Sequence, residues 1–300
     1  MRRREFIKLA GLTGIGLSVP NGFDAFFNNA ESSSATSLVI ATGKSPSDIT
    51  RAAIKAYGGI NKFISRGDIV VIKPNMAWDR TTEQAANTNP EVVATVVELC
   101  YGAGARKVKV FDRPVNDPRR CYVQSGIAGA ARDAGAIVSY VDDRKFRNMK
   151  INGEVLKEWS LYTEVFEADK VINIPIAKHH GLAKLTMSMK NWMGVMGGSR
   201  DRIHQKLDQS LVDLSRAIKP TLTILDAVRI LTANGPQGGS LSDVRKLDTV
   251  IVGSDQVAVD SFGATLFGMK GSDLGYVRLA AESGLGTMDL SKVDIKRINV

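Results

Sequence analysis

The chain has 300 residues, 44% hydrophobic and 24% charged, an ordinary globular composition with room for one large α/β domain or two smaller ones. Its formal net charge is +9, but the basic residues are spread out instead of clustering with aromatics. Nucleic-acid binding is therefore not expected, and a small anionic ligand is. Only two cysteines occur, Cys100 and Cys121, with no CxxC pair, too few ligands for a zinc ribbon or a cysteine-ligated iron–sulfur cluster.

The first thirty residues, "MRRREFIKLAGLTGIGLSVPNGFDAFFNNA", place charge first and then the apolar run Leu9 to Val19. That run is short for an ordinary bilayer-spanning helix and suits a signal sequence. Arg3-Arg4-x-Phe6-Ile7-Lys8 resembles the twin-arginine export consensus, with Ile7 where leucine is usual. The resemblance implies passage through the twin-arginine translocase as a folded protein, and a periplasmic or otherwise exported location, membrane-tethered if the signal is kept. Cleavage after Ala30 is weakly marked, because Asn28 occupies the −3 position. Residues 1–35 are read as signal and linker, and 36–300 as a single α/β domain.

From there strand and helix patterns alternate. "SLVIATG" reads as a strand and "SPSDITRAAIKAYGG" as a capped helix ending in glycine. "GDIVVIKPN" is a continuous apolar run of the kind buried in a parallel sheet. "NPEVVATVVELCYGAG" opens a helix at Pro90, followed by strand "KVKVFD", helical "CYVQSGIAGAARDAGA" and strand "IVSYVDD". "MKINGEVLKEW" carries Asn152-Gly153 between two short β patterns, a hairpin signal. "ADKVINIPIA" reads as one strand, and the conformation of residues 181–193, "LTMSMKN" included, is left open between strand and helix. A helix capped by Ser199, strands "PTLTILDA" and "LDTVIVGS", helices "DQVAVDSFGATLFG" and "DLGYVRLAAESGLG", and strand "VDIKRINV" complete the chain. The pattern predicts a mostly parallel sheet flanked by helices on both faces, with a small β-hairpin excursion.

In such folds ligands bind beyond the carboxyl ends of the strands. Lys73 and Asn75, Asp112, Lys178 with His179 and His180, and Asp226 each end or follow a predicted strand. Their convergence marks a candidate rim site, although the aspartates read equally as caps of following helices. Lysines there can hold a carboxylate or phosphate, or act as base or amine nucleophile once desolvated. His204 lies on a predicted helix with Arg200 and Arg202 in its first turn, after Gly197-Gly198, an arrangement suited to an anion. The glycine loop from Ala233 to Asp243 lacks a dinucleotide or Walker spacing and reads as a ligand-covering loop or a plain turn. A divalent metal is allowed by His180, His204 and Asp226, but adjacent residues on extended chain point oppositely, so His179 and His180 are not expected to ligate together. No Gly-x-Ser-x-Gly elbow is present.

The elements "VVIKPN", "TNPEVVATVVELCYGAGARKVKVFD", "ADKVINIPIAKHHGLAKLTMSMKNWMG", "RDRIH", "LTILDA", "NGPQGG" and "GSDQVAVD" resemble, in order, the family called domain of unknown function 362. The resemblance implies a site at Lys73, Asn75, Lys178, His180, Lys190, Asn191, Gly194, His204 and Asp226, with His179 the dispensable neighbour. It implies no reaction, and the ferredoxin-type cysteines of some relatives are missing from this chain. The combined expectation is an enzyme acting on a small anionic substrate, with Lys73, Lys178, His180, Lys190 and His204 as catalytic candidates. Asn75, Asn191, Arg200, Arg202 and Asp226 are the substrate-binding candidates. The alternative is a non-catalytic periplasmic protein that binds a metal, cofactor or other ligand, or serves its maturation.

Overall fold

The computed structural model describes residues 36–300; the expected export signal, cleavage after Ala30 and linker, read over residues 1–35, lie outside the described residues. The strands are β1 (Ser37–Thr42), β2 (Ile69–Pro74), β3 (Lys107–Val110), β4 (Ile137–Val138), β5 (Phe146–Lys150), β6 (Glu158–Tyr162), β7 (Lys170–Ile174), β8 (Ile176–His180), β9 (Lys184–Thr186), β10 (Leu222–Leu231), β11 (Val244–Gly253) and β12 (Asp294–Asn299). Ten of them form one sheet in the order β12-β1-β11-β10-β7-β2-β3-β4, with β8 beside β10 and β9 beside β8. Along that order only β11 runs against its neighbours, and β9 runs against β8. The fold is α/β with a mostly parallel sheet, as the alternation predicts.

Side-chain alternation buries both faces. Val39, Ala41, Val70 and Ile72 face the helices Pro46–Ala56 and Pro90–Gly102, while Leu38, Ile40 and Val71 face the helices Leu207–Ala217, Gln256–Thr265 and Gly275–Glu282. Ser45, Asn89 and Asp255 cap three of these helices with side-chain oxygens. Both cysteines are buried and unpaired, and burial pushes the Cys100 thiol up to about 12 and Cys121 to about 11.

Several elements differ from the sequence reading. "ADKVINIPIA" is two strands, because Pro175 has no N–H to give a ladder. β10 consequently pairs with β7 at Leu222 and Thr223, and with β8 further on at Asp226 and Leu231. The helical stretch after Asp117 is two helices, Pro118–Gln124 and Ile127–Asp133, broken where Gly126 takes φ 72°. β4 pairs only Ile137 and Val138 with β3. "LTMSMKN" resolves into β9, the helix Ser188–Asn191 and a 3-10 turn Trp192–Val195.

Ser199 does not cap a helix. Gly198 takes φ 58°, the Arg200 N–H bonds the Gly198 carbonyl at 3.0 Å, and a 3-10 helix over Arg200–Lys206 precedes the α-helix Leu207–Ala217. The α-helical N-terminus expected beside Arg200 and Arg202 is therefore absent there. The hairpin is present: β5 and β6 pair antiparallel, with Asn152 at φ 55° in their connection. Asp213 pins that connection by accepting from the N–H groups of Glu154 at 3.1 Å and of Val155 and Leu156 at 2.8 Å.

Candidate functional site

β2, β3 and β7 end side by side, β8 continues beyond β7, and the segment Ser188–Val195 packs against the strand ends. Lys73 shares the strand parity of Val71 and so points at that segment. Its ammonium meets Asp112 Oδ1 at 2.8 Å, Asn191 Oδ1 at 3.0 Å and the Pro74 carbonyl at 2.8 Å. An ammonium has three protons, so Lys73 is fully occupied. Asn191 is equally saturated: its Oδ1 also accepts from Asn75 Nδ2 at 3.0 Å, and its Nδ2 donates to the Lys73 carbonyl at 3.1 Å and to Asn173 Oδ1 at 2.8 Å. Asp112 accepts from the Met76 N–H at 2.7 Å and the Arg113 N–H at 2.8 Å. A Cβ at Gly194 would land on Asp112 Oδ1 and Lys73 Nζ, so this approach requires glycine.

The other two lysines are progressively less engaged. Lys178, buried, donates to Asn75 Oδ1 at 3.2 Å and to the Ala86 carbonyl, leaving one donor. Lys190 is 7% exposed, and its hydrogen-bond partner among the described residues is the weak acceptor Met193 Sδ at 3.2 Å. Arg200 is held by the carbonyls of Arg113 at 2.6 Å, Pro114 at 2.7 Å and Met193 at 3.2 Å, not by a carboxylate.

Burial lowers the pKa of Lys73, with Asp112 opposing the shift, and lowers Lys178 well below its ordinary range, with Lys190 adding repulsion. Burial, followed by the Arg200 charge, brings Lys190 down to about 7. Burial also lowers the pKa of Arg200, with Asp112 opposing. Asp112, which pairs with Lys73, also opposes the lowering of Lys178 and Arg200, while Lys190 feels the Arg200 charge instead.

His180 Nδ1 accepts from the N–H groups of Leu182 and Ala183, both at 3.1 Å, which assigns the proton to Nε2. Burial and then Lys190 and Lys178 bring its pKa down to about 3, so the ring is a neutral donor. His204 stacks on it with ring centroids 6.2 Å apart. Its Nδ1 lies 2.8 Å from the Asp201 carbonyl, which assigns the proton to Nδ1 and leaves Nε2 as an acceptor. His179, on the opposite side of β8, accepts the Gly235 N–H on Nδ1 at 3.0 Å and so ties the glycine loop to the strand. An open cleft of about 450 Å³ adjoins the histidines, between His179, His180 and Lys184 on one side and Arg245, Phe267 and Met269 on the other.

The structure therefore brings Lys73, Asn75, Lys178, Lys190 and Asn191 together, sets Arg200 beside them, and stacks His180 with His204. Arg202 is exposed, and no hydrogen bond or ion pair joins it to the cluster among the described residues. Asp226 is buried but turned elsewhere: it accepts from the Asn89 N–H at 2.7 Å and the Val228 N–H at 2.9 Å, and burial raises its pKa to about 6. Among the described residues no three His, Cys, Asp or Glu side chains gather to hold a metal, and His180, His204 and Asp226 do not form such a set.

One member escaped the sequence reading. Asn173 sits in an otherwise apolar strand and reads as part of its core run. Asp112 was the visible one: Asp117 caps the next helix, leaving Asp112 free for Lys73.

A family model described as "Domain of unknown function (DUF362)" matches residues 70–265, a span that holds every residue of the cluster. The chain is 28% identical over 225 residues to a thylakoid-associated protein of Synechocystis sp., covering 70% of this chain and 66% of that protein, just under two thirds of its length. Among solved structures, the lactate racemase apoprotein from Thermoanaerobacterium thermosaccharolyticum is similar at 10% identity and TM-score 0.46, over 73% of this chain and 54% of that one. A Thermotoga maritima protein is similar at 8% identity and TM-score 0.37, over 79% of this chain and 59% of that one.

Proposed function

The chain belongs to the family described as a domain of unknown function, DUF362, and from that premise we propose that it is an enzyme acting on a small anionic substrate, with Lys190 as its central group. The observation that carries this reading is the unequal engagement of three buried lysines. Among the described residues, Lys73 has all three protons bonded, Lys178 two, and Lys190 donates to a thioether alone. A buried amine without an acceptor of its own is suited to take a proton or a negative group from a ligand.

Lys73, Asp112, Asn173 and Asn191 form the frame. Lys178 offers its remaining proton to the anion. His180 donates from Nε2, and the free Nε2 of His204 accepts a proton. An arriving anion favours the charged form of Lys190, so binding above pH about 7 draws in a proton.

Titration calorimetry with small carboxylates and inorganic phosphate, in buffers of different ionisation heat, tests this reading. The expected result is binding with up to about one proton taken up at pH 8, lost together with the proton uptake in Lys190→Met. Anion binding that is unchanged in Lys190→Met would sink the proposal. Tight retention of a ligand with no turnover of any related compound would turn the assignment toward the non-catalytic binding role.

We also propose export by the twin-arginine translocase, on the strength of Arg3-Arg4-x-Phe6-Ile7-Lys8 and the apolar run after it. Residues 1–35 fused to a reporter that is exported only when folded should carry it across, and paired Arg3→Lys and Arg4→Lys changes should stop it.

A further inference from the structure

We propose that the substrate is an amphipathic carboxylate, with its charged head at Lys178, Lys190 and His180 and a hydrocarbon arm lying in the cleft between β8–β9 and the segment Phe267–Met269. The inference rests on the anion-site reading above and adds the class of molecule.

His180 connects the two regions. It lines the cleft, and on β8 it lies two residues from Lys178, so strand alternation sets both side chains on the same side. A ligand head at the lysines has the cleft as its neighbouring space. The cleft holds about 450 Å³, within the range of small-molecule sites. Its apolar surface comes from Leu185, which is 2% exposed, and from the half-buried Phe267 and Met269. Phenyl and thioether side chains accept hydrocarbon of varied shape.

The rim cations of the cleft suit an anionic guest. Lys184 Nζ donates to the Asp273 carbonyl at 2.8 Å, and the Arg245 guanidinium donates to the Leu266 carbonyl. Neither has a carboxylate partner among the described residues, so the mouth attracts anions.

A second observation is the backbone. Lys184 is not glycine, yet it takes φ 61°, in the left-handed region. Strain of this kind persists where the surroundings enforce it and is frequent at ligand sites. Here it ends the turn in which His180 Nδ1 gathers the amides of Leu182 and Ala183, and it delivers Leu185 to the cleft. A carboxylate head fits the donors left over: one proton on Lys178, those of Lys190 and Nε2–H of His180. They are few for a doubly charged phosphate and enough for two carboxylate oxygens.

The test is calorimetric binding of acetate, butyrate, hexanoate and octanoate to the full chain, to Met269→Glu and to Lys190→Met. Affinity is expected to rise about two- to fourfold per methylene in the unaltered protein. Met269→Glu should flatten that rise and leave acetate unchanged, while Lys190→Met should remove binding of every acid. Met269→Ala, read the same way with a partial flattening, serves if the glutamate variant does not fold. Acetate binding that depends on Lys190 but does not grow with chain length would overturn the hydrocarbon arm and leave the anion site standing. A chain-length gain that persists in both Met269 variants would overturn the cleft as its location. Binding of no carboxylate would overturn this inference, and if inorganic phosphate does not bind either, the anion site falls with it.

Discussion

Lys73 and Lys190 are the same residue type, and their surroundings give them opposite consequences. Removing Lys73 leaves Asp112 buried without its counter-charge, so Lys73→Met should destabilise by about 3–5 kcal/mol in urea unfolding. Removing Lys190 relieves a buried amine whose acceptor is a thioether, so Lys190→Met should stabilise by about 1–3 kcal/mol below pH 7 while ligand binding is lost. Equal destabilisation by the two changes would contradict this division. The sequence shows both lysines at strand ends or beside asparagine, which is enough to nominate them. It does not show how many protons each has left to give, because for Lys73 that depends on Asp112, Asn191 and Pro74 meeting from three separate parts of the chain. Arg202 failed for a related reason: charge and proximity to His204 are visible in the sequence, and the direction of the side chain is not.

At the scale of elements, the helix Ser188–Asn191 is one turn long and is fixed from outside. Asp260 accepts from the Ser188 N–H at 2.7 Å and the Met189 N–H at 3.0 Å, and Trp192 Nε1 donates to Gln256 Oε1 at 2.9 Å. So short a helix has no stability of its own, and those contacts orient Lys190 and Asn191. The following 3-10 turn packs Gly194 against the Lys73–Asp112 pair. Gly194→Ala should therefore cost about 1–3 kcal/mol and lower ligand affinity, measured by thermal unfolding and calorimetry. An alanine variant as stable as the parent would mean that the turn is free to move away. Sequence periodicity located this segment but left its conformation open, since alternation and helical spacing both fit seven residues. Pro175 was legible as a letter, yet its effect was not. Its missing N–H divides one apolar run into β7 and β8, and only the second half carries Lys178 and His180 to the site.

For the whole molecule, the buried groups set the dependence of stability on pH. Asp226 and Asp260 are raised to about 6 and about 7 from an ordinary 3.8, so the folded chain keeps protons that the unfolded chain has released. That contribution is complete below pH about 4 and is lost as pH rises through 6 to 7. Lys190 is lowered from 10.5 to about 7, so the unfolded chain holds the proton that the folded chain gives up. Its penalty is complete below pH 7 and fades toward 10.5. Stability should therefore pass through a minimum near pH 7, with the lowered His180 partly offsetting the fall on the acid side, and Lys190→Met should weaken the alkaline recovery, to which the lowered Lys73 and Lys178 also contribute; a recovery unchanged in Lys190→Met would contradict the assignment. The alternation of strands and helices made the α/β class legible from the sequence, because parallel strands buried on both faces write continuous apolar runs. The reversal of strand β11 was not legible, since its pattern matches that of its parallel neighbours.

The two outermost strands have a bearing on how the chain behaves among copies of itself. β4 pairs over only two residues, and β12 presents exposed Asp294, Lys296 and Arg297 along its length. One margin of the sheet is too short to template another chain, and the other is too charged. A ten-stranded sheet held this way resists edge-to-edge aggregation while crowded, a property a protein needs if it is to travel any distance already folded.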